Sequence, residues 1–265
     1  MTGSLGVRRP ATAAWLPLTL ALLLVGAAIA YPLTDGAARN AVTWSIVLLG
    51  SGVSVSHAWV ARGARTGLGV LGLVAVVAVL VEAFGLATGV PYGAYSYSDA
   101  LGPTLLGVPF LVPLAWLLMA WPSWVLAVRL VPRSRAGRVL VAAYVFAAWD
   151  VVLDPQLVQA GYWRWAHPHP GLPGIDTVPL TNLVGWLVAG LVLMALLDLL
   201  VARTARPGPP AIGDAAPLLT LAWMTLGGAL AHAGWLGLPG SAAWGVLLAL
   251  PVLAALAHQE RRRRR

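Results

Sequence analysis

Apolar residues along this chain gather into long runs, and polar residues are confined to short stretches between them. The runs cover residues 11–31, 41–61, 67–88, 104–130, 139–155, 180–201, 215–236 and 241–258. Most are close to the ~20 residues that an α-helix needs to cross a bilayer's hydrocarbon core. Backbone polar groups in lipid must find partners within their own segment, so runs of this length predict helices. The pattern predicts an all-α integral membrane protein, a single transmembrane helical domain over 1–265 with eight spans. The fifth run stops early at Pro155, so a kinked continuation is expected there. Residues 203–214, rich in Pro and Gly, read as a flexible cytoplasmic loop.

Composition agrees: 59% of residues are apolar and 10% charged, against roughly 25% charged in a soluble domain. The position of charge adds orientation. All 17 basic residues are arginine. With the N-terminus inside, Arg8, Arg9, Arg62, Arg65, Arg129, Arg133, Arg135, Arg138, Arg203, Arg206 and the run 261–265 fall on the cytoplasmic side, fifteen in all. Only Arg39 and Arg164 fall opposite. This alternation predicts an N-in/C-in topology. The net charge of +8 therefore reads as cytoplasmic anchoring against anionic lipid, with 259–265 as a basic tail, and not as a nucleic-acid surface. The first run, ending in Ala28-Ile29-Ala30, has signal-peptide features but is long for a cleaved segment. A retained helix is the preferred reading, and cleavage stays open. The absence of cysteine excludes disulfides, thiolate metal sites and thiol nucleophiles.

Ionisable residues within spans are costly, by ~2.5–3.5 kcal/mol each on insertion scales, and mark function by default. Here they are His57, Glu82, Asp150, Asp154, Asp198, His232 and His258. His57, Asp198 and His258 lie near cytoplasmic helix ends, where a structural role is expected. Glu82, Asp150, Asp154 and His232 lie toward the outer face. Asp150 and Asp154 are one helical turn apart and share a side of their helix. The two large outer loops add Tyr92, Tyr95, Tyr97 and Asp99, then Tyr162, Trp163, Arg164, Trp165, His167, His169 and Asp176, while Thr181 and Asn182 open the sixth span. Interfacial enrichment accounts for part of the aromatic content, but not for three carboxylates at one depth. His167 and His169 lack a Glu-bearing zinc motif, so no metal site is expected.

Two stretches of the chain match when overlaid. Glu82 aligns with Asp150, Gly93 with Gly161, Tyr95 with Trp163 and Tyr97 with Trp165, each 68 residues apart. Pro109 then aligns with Pro179 and Trp116 with Trp186, 70 apart. Each unit is an acid in a helix, a Gly-x-aromatic-x-aromatic loop, a Val-Pro and a tryptophan in the next helix. Such a two-helix repeat, with both units starting on one side, predicts a symmetry axis along the membrane normal and Glu82 and Asp150 as mates facing one cavity.

At these residues the chain resembles a known family. The stretches 82–95 (EAFGLATGVPYGAY) and 101–109 (LGPTLLGVP), then 149–156 (WDVVLDPQ), 161–165 (GYWRW) and 178–186 (VPLTNLVGW), resemble the membrane carotenoid biosynthesis proteins. That family includes carotenoid 1',2'-hydratases and bisanhydrobacterioruberin hydratase. The resemblance covers roughly residues 40–258. It implies a lyase-type isoprenoid enzyme in a bacterial cell membrane, adding water to the terminal double bond of an acyclic carotenoid such as lycopene. Implied partners are the hydrophobic polyene and membrane lipid; association with other carotenoid enzymes is left open.

The residue chemistry fits that implication. Hydrating an unactivated alkene needs a strong acid to protonate one carbon, water to capture the tertiary cation, and a base for the surplus proton. Desolvated carboxylic acids can supply the proton, and aromatic faces stabilise a cation without attacking it. No redox cofactor or metal is needed. The expected site has Asp150 or Glu82 as proton donor and Asp154 positioning water. Tyr95, Tyr97, Trp163 and Trp165 line the pocket, with Asn182 and His232 as hydrogen-bond partners. A cyclase or isomerase would use the same acids, and a transporter or lipid-binding protein would also place carboxylates in spans. Both alternatives stay open at this point.

Overall fold

The computed structural model describes residues 11–206 and 212–263. Arg8, Arg9, Arg264, Arg265 and the centre of the 203–214 loop lie outside the described residues. Eight helical segments among the described residues are long and apolar enough to cross a membrane. They are α1 (Ala11–Ala30), which runs on into a 3-10 turn at Tyr31–Leu33, then α2 (Gly36–Arg62), α3 (Ala64–Thr88), α4 (Leu111–Leu130), α5 (Arg135–Gln159) and α6 (Leu180–Thr204). The seventh segment is α7 (Ala215–Ala222), a π-helical turn (Trp223–Gly227) and α8 (Gly228–Gly234), and the eighth is α9 (Pro239–Arg263). The molecule is a multi-pass helical membrane protein.

Three boundaries differ from the hydrophobic runs. Residues 104–109 are apolar but not helical: β2 (Thr104–Leu105) and β3 (Val108–Pro109) pair as a hairpin. Its turn residues Leu106 and Gly107 both have positive φ, 54° and 81°. Proline on either side removes backbone donors, so α4 starts only at Leu111. The fifth helix carries through Pro155 to Gln159. The last helix continues to Arg263, taking much of the basic tail with it, and Arg262 donates to His258 one turn back at 2.8 Å.

The core sits around α4, whose Trp116, Leu117, Leu118, Met119 and Trp121 are all buried. It packs against α2, α3, α5 and α7. Large apolar side chains such as Leu22, Leu80, Val192 and Leu250 point outward, as lipid contact requires.

The repeated units are arranged symmetrically. Helix α3 packs on α4 and α6, while α5 packs on α6 and α4. Their loops join as an antiparallel ribbon of β1 (Tyr95–Tyr97) and β4 (Trp163–Trp165), with Tyr95 opposite Trp165 and Tyr97 opposite Trp163. Each residue thus faces the counterpart of its neighbour two positions away, as a two-fold axis through Ser96 and Arg164 demands. The repeat's tryptophans, Trp116 and Trp186, meet with ring centroids 5.0 Å apart.

At the arginine-rich end, the remaining intramembrane polar groups act as fasteners. Asp198 on α6 accepts from Arg138 Nε at 2.8 Å and Nη2 at 3.0 Å, and from Trp124 Nε1 at 3.1 Å. Arg135 approaches it to 3.3 Å. His57 accepts from Trp121 Nε1 at 3.0 Å and pairs with the Gly213 carbonyl at 3.2 Å. Asp198→Ala removes one partner of a largely buried ion pair, and should cost ~3 kcal/mol, read as a lower melting temperature in detergent.

Candidate active site

Glu82 lies two turns before the C-terminus of α3, and Asp150 and Asp154 lie in the last turns of α5. Asn182 lies in the first turn of α6. All four are buried, at the end of the bundle away from the arginine-rich turns. Above them the β1–β4 ribbon closes the space between the two repeats. What results is an apolar chamber of about 90 Å³, room for a few atoms of ligand or several waters.

One wall is built on Glu82. Its Oε2 accepts from Tyr95 Oη at 2.5 Å and Tyr97 Oη at 2.9 Å, and its Oε1 from Trp116 Nε1 at 3.2 Å. Three donors converge on this carboxylate from the ribbon and from α4. Burial, then the negative charge of Glu82, pushes the Tyr95 and Tyr97 phenols well above their ordinary range. Both therefore remain donors throughout the physiological range.

A second polar cluster is built on Asp154. Asn182 Nδ2 donates to Asp150 Oδ2 at 2.7 Å and to Asp154 Oδ2 at 2.5 Å. The helical spacing of four residues brings the two carboxyls together, and one amide bridges both. Asp154 and Asn182 line the chamber. Asp150 stands behind them beside Pro155 and Ile175, and its Oδ1 is buried without a hydrogen-bond partner.

Aromatic rings form most of the remaining lining. Tyr95 and Tyr97 meet edge to face at 5.5 Å, as do Tyr97 and Trp163 at 5.7 Å. Trp165 packs on Tyr95 at 6.0 Å and donates from Nε1 to the Tyr92 carbonyl at 3.0 Å. Tyr92 is held against α6 by Gly185, where an added Cβ would stand 2.6 Å from its Cδ1. Gly185→Ala is expected to push this ring aside and lower the melting temperature in detergent, the clash outweighing the ~1 kcal/mol gain in helix propensity.

The predicted residues thus divide. Glu82, Asp154, Tyr95, Tyr97, Trp163, Trp165 and Asn182 share the chamber, whereas Asp150 and His232 do not line it. His232 is buried behind the wall, paired through Nδ1 with Ser241 and through Nε2 with Gln156 Oε1 at 3.0 Å. Gln156 is the residue that reaches the chamber, together with Tyr31, Leu153 and Met224. None of these four carries a charge or belongs to the aromatic loop pattern; Leu153 and Gln156 fall within the stretch 149–156 that carries the resemblance, but nothing there marked them as lining a chamber.

Fold and site together define a multi-pass membrane protein with carboxylic acids facing an aromatic chamber beside the lipid. The carotenoid biosynthesis protein family matches residues 42–252, and the chain belongs to it. A role in carotenoid biosynthesis follows. Among similar proteins is the bisanhydrobacterioruberin hydratase of Haloarcula japonica, 34% identical over 122 residues. That alignment covers 44% of this chain and 40% of the relative's length. No solved structure matches the chain.

Proposed function

We propose that the protein is a hydratase that adds water to the terminal double bond of an acyclic carotenoid. The observation that carries this reading is that Asp154 and Glu82 both line one chamber walled by aromatic rings. An isolated pair of carboxylates on one amide is best accommodated with a single proton between them, since two adjacent charges repel. Asp154 faces the chamber and delivers that proton to the less substituted alkene carbon, forming a C–H bond as the π pair is consumed. The neighbouring tertiary carbon becomes the cation.

Glu82 supplies fixed negative charge toward that cation, and the faces of Tyr95, Tyr97 and Trp163 add cation–π stabilisation. Water attacks the cation, and its surplus proton returns to the Asp150–Asp154 pair. The sum is one water added, with the acids regenerated. Support also comes from the hydratase named among the relatives.

Expression in a lycopene-accumulating host, with chromatography and mass spectrometry of the pigments, tests this. Hydration adds the mass of one water at each reacting end. A product of unchanged mass but altered retention would instead identify a cyclase or isomerase, in which an internal alkene captures the cation. Unchanged pigment with both lycopene and a longer acyclic carotenoid would rule out the hydratase.

A further inference from the structure

The chamber is too small for a whole polyene, so the rest of the substrate needs a place. The structure contains two larger apolar cavities. One, about 470 Å³ between α4, α5, α7 and α9, has no lining residue in common with the chamber. The other, about 300 Å³, lies between the end of α1 and the π-helical turn of the seventh segment. Tyr31, Ile46, Trp149, Leu153, Gln156 and Met224 line both it and the chamber. Continuity therefore favours the smaller of the two.

We propose that this second groove is the membrane entrance and the binding site for the hydrocarbon chain of the substrate, an extended conjugated polyene whose end group occupies the chamber. The inference rests on the carotenoid reading above. Its outer lip is made of Ile29, Leu33, Leu230 and Trp235, each more than half exposed, and faces where lipid lies. Polarity increases inward. Tyr31 and Gln156 stand where the groove joins the chamber. A hydrocarbon chain lies along the apolar lip at no desolvation cost, and only the reacting end meets polar groups.

Both sides of the groove depart from regular α-helix. The α1 side ends in the 3-10 turn Tyr31–Leu33, and the opposite side carries the π turn Trp223–Gly227. A π turn turns side chains away from the register of the helix that precedes it, and here it presents Trp223 and Met224 to the groove. Gly227 and Gly228 line the same groove and add no side chain of their own to it.

The absence of cysteine makes the test clean. Ala28→Cys and Ala231→Cys, on opposite sides of the groove, and Leu140→Cys, on a lipid-facing surface elsewhere, would each be purified as full chains in detergent. Each would be treated with benzyl methanethiosulfonate, which places a benzyl group on the thiol and is reversed by dithiothreitol. Lycopene retained through gel filtration is one readout, and hydrated product is the other. Labelling at 28 or 231 should lower retention by about tenfold or more, with recovery on reduction and no effect at 140. Full retention by both labelled variants, or no retention by any unlabelled form, would overturn the proposal. Blocked retention without hydrated product from any form would leave the entrance standing and remove the hydratase reading. Normal product formation with both labels in place would do the reverse.

Discussion

Asp154→Asn should leave a protein that accumulates and melts normally but converts carotenoid about 10²–10⁴-fold more slowly, the loss expected for a positioned general acid. The substitution is nearly isosteric, and the amide oxygen can still accept from Asn182, which now lies 2.5 Å from Asp154 Oδ2. What disappears is the transferable proton on the chamber side. Asp150→Asn should have a smaller effect, because Asp150 meets the chamber through Asn182 and does not line it. Initial rates of hydrated product from equal amounts of protein distinguish the two. An inactive Asp150→Asn beside an active Asp154→Asn would move the donor one turn back along α5. Full activity in both would end the assignment of this pair as the acid.

Glu82→Gln is the second large expected effect, about 10²–10³-fold in rate, comparable to losing a preorganised electrostatic group. Two consequences of the change act together. The negative charge opposing the cation is lost in surroundings where charge is weakly screened. The new amide also brings N–H donors into a position already occupied by the donors of Tyr95, Tyr97 and Trp116, so one of them loses its acceptor. Tyr95→Phe and Tyr97→Phe, which leave the carboxylate in place, should each cost less. Substrate retention separates chemistry from packing: Glu82→Gln should retain carotenoid while slowing product formation. Unimpaired turnover would remove Glu82 from the mechanism.

The helices were legible because lipid imposes so simple a rule: long apolar runs, with arginine between alternate pairs. The hairpin at 104–109 was hidden by the same rule, since Leu105, Leu106 and Val108 are as apolar as a span and only Pro103, Gly107 and Pro109 interrupt them. The site was legible as far as charge and repetition reached. Glu82 and the Asp150–Asp154 pair stood out because each is costly in a membrane, and the 68-residue offset matched Glu82 with Asp150 and Tyr95 with Trp163. Helical spacing placed Asp150 and Asp154 on one side of α5 but could not say which would face inward. That depends on where Asn182 sits, a tertiary fact. His232 was marked as ionisable, yet the residue that lines the chamber is its neutral partner Gln156. Tyr31 and Met224 had no signal at all, because a lining made of ordinary side chains looks like any other stretch of span.

The ribbon that joins the two repeats also restricts how the loops can change. Side chains along a strand alternate between faces, and slipping the pairing by a single residue reverses every one of them. An insertion of one residue in the loop before Tyr95 would turn both tyrosines away from Glu82 and present Ser96 in their place. The same insertion before Trp163 would expose Arg164 to an apolar space. Either loop alone is therefore intolerant of odd changes in length, although surface loops elsewhere absorb them readily. In these two connections between helices, length is fixed by the pairing.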